Sequence, residues 1–501
     1  MIENAAEAFA IFCNLQNFVA VLIGVLIGVL IGAVPGMTTP MGVALALPFT
    51  FALHPVTGVL LLLGIYKGGL YGGSISAILL KAPGTPAASC TVLDGYPMAR
   101  KGEARRALDM ALYASCIADF ISNLSLILLT GFLASFALSF GPPEFFTLIL
   151  FSLTIIAGVS GDSLARGIVA SCCGLLLATI GLDSIYGTER FTFGNYEMMA
   201  GLNFIPVLIG LFALPEIIDQ YARRGAGAVV VGALGRVGAT LADLRACFKS
   251  ILRGSVIGVV LGAIPGIGGA PSAFLSYSEA RRTSKNPAAF GKGAIEGVAA
   301  AEAGNNGVAG ATMIPLLALG VPGDVTTAVI LGAFMVHGLR PGPVMFMENL
   351  PMIYAIFIGI LLSSVYLFAI GKLMIRSVSR IADIPHRLLH PCIVVLCLFG
   401  AYAVNSSMFD ILVMIAMGAL GFLMLRLHLP AAPFLIGFIL GPLLEDSFRQ
   451  SLRLSDGTYG IFFHSPICWL FWALTLLSLG LLLRGRFIVR DGDLPAAPAS
   501  D

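Results

Sequence analysis

Short hydroxyls, amides and glycines gather where this chain breaks its apolar runs with Pro-Gly. Gly36, Thr38 and Thr39 sit at Pro35-Gly36; Ser74 and Ser76 lie in YGGSIS; Gly84 and Thr85 lie in PGTP. Gly266, Gly268 and Gly269 mark a further break, Asn305 and Asn306 precede GVAG, and Gly323, Thr326 and Thr327 accompany Pro322. These residue types suit reversible capture of a small anion rather than bond-making. A break frees backbone amides at the start of the next half-helix, the positive end of its dipole, and that end attracts carboxylates. Glycines let the backbone touch the ligand, and short hydroxyls add donors without bulk. Taken singly, each polar residue has a plainer reading as a hydrogen-bond partner for a neighbouring helix.

The elements that must position these groups are written twice. GVLIGAVPGM, Gly28 to Met37, returns as GVVLGAIPGI, Gly258 to Ile267, at a shift of 230 (258 − 28). LLKAPGTPAAS, from Leu79, matches ALGVPGDVTTA, from Ala318, at a shift of 239 (322 − 83), and PVLIGLFALPE resembles PFLIGFILGPLLE later on. Three matches in one order predict a duplicated chain, and in transporters such repeats meet at a site near the bilayer midplane. The expected organisation is a first repeat over 17–220, a basic cytoplasmic linker over 221–253, a second repeat over 254–446 and an extra membrane helix over 461–484.

Composition sets the class. A hydrophobic share of 58%, only 11% charged residues and a mean hydropathy of +0.95 over 501 residues leave too little polar surface for a soluble protein. The expectation is an all-α polytopic membrane protein of about 12 spans, with broken or re-entrant helices. The net charge of +2 says little about a partner, and nucleic acid is not expected as one. The start, MIENAAEAFAIF, has no Lys or Arg and does not read as a signal peptide. The nine cysteines form no CxxC pair, so neither disulfides nor a metal are expected. The stretch Thr38 to Asp94 looks too rich in Gly and Pro for plain spanning helices, and Ser250 to Ser276 and Ile295 to Val336 are apolar stretches of spanning length that carry the breaks of the second half, with hairpins expected among them. Arg281, Arg282, Lys285 and Lys292 follow the first break of the second half, where the first half has none. Arg100, Lys101, Arg105 and Arg106 reverse that bias at the next break. If Lys and Arg mark cytoplasmic loops, the two repeats are inverted. Inverted halves suit alternating access, so a secondary transporter is favoured, with an anion channel or pore-forming scaffold as the alternative.

The strings GAVPGMTTPMG, YGGSISAILLKAPGTPAAS, LDGYPMARKGEA, EAGNNGVAGATMIPLLALGVPGDVTTAVILGAF and HGLRPGP together resemble the large membrane subunit of the tripartite tricarboxylate transporter family, the TctA type. The resemblance covers about residues 17 to 445. It implies a multi-pass permease of the bacterial inner membrane, surrounded by lipid and partnered by a small membrane subunit of about four spans and a periplasmic solute-binding protein. It also implies a citrate-like organic anion as cargo, driven by a sodium or proton gradient, with no other cofactor. The sequence leaves homo-oligomerisation and the carried carboxylate open.

Two lysines depart from the family pattern. Lys81, before Pro83-Gly84, stands where many relatives carry asparagine, and Lys67 stands in YKGGLYGG where an aromatic or small residue is common. An ionisable side chain at membrane depth is a functional candidate by default. Lys81 would meet a bound carboxylate or replace a coupling cation, unless its ammonium snorkels to water. Asp324 would be its counter-charge or a cation ligand, unless it simply caps a half-helix.

No enzymatic set emerges. GDSL at Gly161 to Leu164 lacks the strand and His block of a hydrolase, there is no GxxxxGK[ST] phosphate loop, and His386 with His390 sits in a basic interfacial loop. No nucleophile, base and orienting partner can be assembled.

Overall fold

The computed structural model describes residues 2–34, 36–159, 163–183, 185–222, 235, 237–381 and 386–488. Pro35, the Gly161-Asp162 pair of GDSL and residues 223–234 and 236 of the expected linker lie outside them, as does the tail beyond 488. Within them the chain is an all-α polytopic membrane protein. Its small exception is a two-residue hairpin, Gly181–Leu182 antiparallel to Glu189–Arg190. Seven helices are long and apolar enough to span a bilayer, and five shorter apolar helices accompany them.

The stretch expected to be broken contains the most continuous element of the interior. Pro55–Leu80 is an uninterrupted helix of 26 residues, buried along its whole apolar window. Its glycines do not interrupt it, because another backbone lies against them. Leu15–Ala33 presents Gly24, Gly28 and Gly32 to that helix, which answers with Gly64, Gly68 and Gly72. A Cβ added at Gly28 would meet the amide nitrogen of Gly69 at 2.9 Å, and one at Gly68 would meet that of Val29 at 2.8 Å. In hydrocarbon, where no hydrophobic force draws apolar helices together, such close backbone packing supplies the attraction. Expecting Gly64, Gly68 and Gly72 to interrupt a helix mistakes an interface for a break.

The second half uses its glycine stripe the same way. Leu241–Gly262 sets Gly254, Gly258 and Gly262 against Ala303, Gly307 and Val308. Thr240 and Asp243 close a capping box at its start, inside the stretch expected to be linker. The breaks expected at Pro265-Gly266 and Pro322-Gly323 are present. Leu241–Gly262 stops short of Gly269–Thr283, and Ile295 to Val336 divides into Ile295–Asn306, Val308–Ala311, Met313–Leu319 and Val325–Val336. The stops after Gly262 and Leu319 are local backbone events: Gly266, Gly268 and Gly320 have φ of 86°, 67° and 71°, a region L side chains avoid, whereas Gly307 and Thr312 keep right-handed backbone. At the end of the described chain, the short turn Tyr459–Phe463 leads into the helix Pro466–Ile488.

Candidate functional site

Four helices begin around one cavity of about 330 Å³. They are Thr39–Ala46, Ala88–Arg100, Gly269–Thr283 and Val325–Val336, and the residue capping each start, Thr38, Ala87, Gly268 and Asp324, lines the cavity wall. First-turn amides of a helix have no intrahelical partner, so four positive dipole ends border one space. Two starts come from each half of the chain.

Local sequence explains each start. Thr38 is extended and accepts from the Met41 amide at 3.4 Å, and the Thr85 hydroxyl accepts from the Ala88 amide at 3.2 Å. Asp324 accepts from the Thr327 amide at 2.7 Å while the Thr327 hydroxyl accepts from the Asp324 amide at 2.8 Å, a reciprocal cap. The second Asp324 oxygen accepts from the Tyr66 hydroxyl at 2.9 Å. The Gly266 amide donates to the Gly323 carbonyl at 2.8 Å and ties the two breaks of the second half together.

Of the residues singled out from the sequence, Thr38, Thr39, Thr85, Gly266, Gly268, Gly269, Asp324 and Thr326 line this cavity. The others are placed elsewhere. Gly36 turns the chain with φ 82°, Gly84 packs on the carbonyl of Gly32, and Gly323 packs on Thr312. Ser76 bonds the carbonyls of Gly73 and Gly32, and Thr327 is spent on the Asp324 cap. Ser74 donates to Glu302 at 2.5 Å, and Asn306 donates to Ser115 at 2.8 Å. Asn305 lies behind the wall, its amide nitrogen on the Leu70 carbonyl. Lys81 is exposed at the end of Pro55–Leu80, with φ 54° and its ammonium 6.0 Å from the Tyr96 ring centre. It does not reach the cavity.

Several buried polar groups escaped the sequence reading. Glu302, fully buried, accepts from Ser74, Thr91 and Ser115, and among the described residues no basic side chain pairs with it. Lys67 is not at the cavity either. Its ammonium donates to Asp119 at 2.8 Å and Asn123 at 2.6 Å, deep among Pro55–Leu80, Ala104–Ala137 and Leu350–Ile381. Asp94 receives the Tyr277 hydroxyl at 2.9 Å and the amides of Gly293 and Ala294 at 2.8 Å each. The signal that the sequence carries for Glu302, Asp119 and Asp94 is a charged residue in or beside an apolar run.

This arrangement, cavity and flanking breaks together, falls within residues 18–436, which match the family model described as the tripartite tricarboxylate transporter TctA family. The chain belongs to the TctA family. It is 38% identical over 481 residues to a protein of Agrobacterium vitis described as an uncharacterized 52.8 kDa protein in the TAR-I ttuC' 3' region, covering 96% of this chain and 95% of that one. A second protein of that organism, described as an uncharacterized protein in the TAR-II ttuC' 3' region, is 39% identical over 225 residues, 45% of this chain and 91% of its own length. No solved structure matches the chain. Membership makes this TctA protein a membrane subunit of a tripartite tricarboxylate transporter rather than an enzyme.

Proposed function

We propose that the chain is the permease subunit of a receptor-dependent tripartite system, importing a tricarboxylate or related organic anion across a bacterial inner membrane by coupling to a sodium or proton gradient. The observation that carries this reading is the convergence of four helix starts, two from each half, on one cavity walled by Thr38, Thr39, Thr85 and Thr326. Helix starts and hydroxyls at such a point are the kind of environment a carboxylate needs. A site held between two like halves opens to alternate sides when one moves against the other. The partners on this reading are a small four-span membrane subunit and a periplasmic solute-binding protein, which delivers the anion.

The test is uptake of labelled citrate and smaller carboxylates into proteoliposomes holding the chain and its small partner, with and without receptor, under imposed sodium or proton gradients. Accumulation above equilibrium that requires the receptor and one gradient is the expected result. Equilibration indifferent to any gradient would instead make the protein an anion pore.

A further inference from the structure

The cavity carries a feature that a carboxylate cannot satisfy. Asn305 is wholly buried, and its side-chain nitrogen donates to the Leu70 carbonyl at 3.4 Å. A carbonyl only accepts, so that bond fixes which way round the amide sits. Oδ1 therefore points away from Leu70, and it has no hydrogen-bond partner. What it faces is Gly269, where an added Cβ would lie 2.9 Å from it. Gly269 lines the cavity and has no side chain to cover the oxygen.

A second unpartnered oxygen borders the same space. Thr39 is 2% exposed and lines the cavity, and its hydroxyl is also without a partner. That hydroxyl lies 2.7 Å from where a Cβ of Gly69 would stand, on the residue next to the Leu70 whose carbonyl holds the Asn305 nitrogen. Asp324 adds a carboxylate to the wall, with donors from Tyr66 and Thr327 and no basic side chain bonded to it among the described residues. A buried acceptor left unmatched costs about 1–3 kcal/mol. An anion entering alone would leave Asn305 Oδ1 unmatched and would meet the like charge of Asp324.

A hard cation removes both penalties. The available donors are all oxygen, which excludes the softer metals that seek nitrogen or sulfur. One carboxylate among neutral oxygens suits a single positive charge. We infer that Asn305 Oδ1 and Thr39 Oγ1 ligate an alkali-metal cation of sodium size, held beside Asp324 and carried with the anion. This rests on the carrier reading and adds to it a coupling ion and its ligands.

The experiment uses the purified full chain without any carboxylate and follows its thermal unfolding in sodium chloride, potassium chloride and choline chloride at equal ionic strength. The expected result is a saturable rise in unfolding temperature with sodium that choline does not give. Asn305→Leu removes the response and Asn305→Asp, which keeps an oxygen toward the cavity, retains it. Thr39→Val weakens the apparent sodium affinity at least tenfold and Thr39→Ser does not, which keeps the test available if Asn305→Leu does not fold. Equal unfolding in all three salts, or a full sodium response in Asn305→Leu, overturns the assignment. Carrier failure reads out separately. A sodium response lost in Asn305→Leu, in a protein that takes up no carboxylate, supports the ion site and removes the carrier. Proton-driven uptake without a sodium response removes the ion site and leaves the carrier.

Discussion

Lys81 and Gly320 stand at the same place in the two halves, 239 residues apart (320 − 81). Each is the residue that ends its helix, and each has left-handed backbone, φ 54° for Lys81 and 71° for Gly320. Glycine takes that conformation freely, whereas a side chain there costs about 1–2 kcal/mol. The fold thus needs a turn at residue 81 and holds a lysine in it.

Lys81→Gly and Lys81→Asn are therefore expected to stabilise the protein, by up to about 1 kcal/mol, since asparagine also tolerates the left-handed region. Because Lys81 is exposed and away from the cavity, carboxylate affinity and ion dependence in the uptake assay should be unchanged. A tenfold loss of affinity in Lys81→Asn would return the lysine to the binding site. Unfolding curves in detergent give the other half of the answer.

Gly28 and Gly131 predict opposite responses to the same change. A Cβ at Gly28 would drive into the backbone of Pro55–Leu80, while one at Gly131 meets nothing within 4 Å. Gly28→Ala should cost about 1–3 kcal/mol through overpacking and lower the folded yield. Gly131→Ala, within Ala104–Ala137, should be neutral or gain up to about 1 kcal/mol of helix propensity. Comparable stability for the two variants, measured by thermal aggregation of the purified proteins, would contradict the close packing described above.

The Lys67–Asp119 pair sets up a double-mutant cycle. Lys67→Met strands a buried carboxylate and should cost about 3–5 kcal/mol. Adding Asp119→Leu should restore much of that, because the buried charge goes with it. Recovery is expected to be incomplete, since Asn123 Oδ1 loses its donor and a buried orphan costs about 1–3 kcal/mol. If the double variant is no more stable than Lys67→Met, the two residues are not coupled.

Asp243, at the polar start of Leu241–Gly262, predicts an acid limb. Hydrogen bonds from the Arg106 guanidinium, helped by those from Thr240, hold its carboxyl down at about 2. A carboxyl lowered in the folded state adds stability that is complete above its ordinary pKa of about 3.9 and is lost as pH falls toward the folded value. Unfolding temperature should accordingly drop between about pH 4 and about pH 2. In Asp243→Asn the drop over that window should be smaller, while the variant starts from a lower plateau at neutral pH. Parallel profiles for the two proteins would show that the pair contributes nothing to acid sensitivity.

The sequence by itself determined the class of protein and the places where helices stop. Both are local properties: 58% hydrophobic residues cannot be hidden in a soluble fold, and Gly266, Gly268 and Gly320 take backbone angles that other residues avoid. Hydroxyls and an aspartate beside those breaks were legible as helix caps, because capping acts within three residues. Tertiary structure decided which caps meet and which polar groups are spent on the scaffold. Ser74 and Asn306 looked equivalent to Thr38 and Thr85 but turn toward Glu302 and Ser115, and Lys67 turns toward Asp119. Pro55–Leu80 is buried all round, so its sequence has no polar face to show which residues point to the cavity and which to a neighbour. Its glycines read as breaks until a second backbone was seen lying against them. That choice is made by contacts hundreds of residues apart in the chain, such as Tyr66 with Asp324, and no local pattern encodes them.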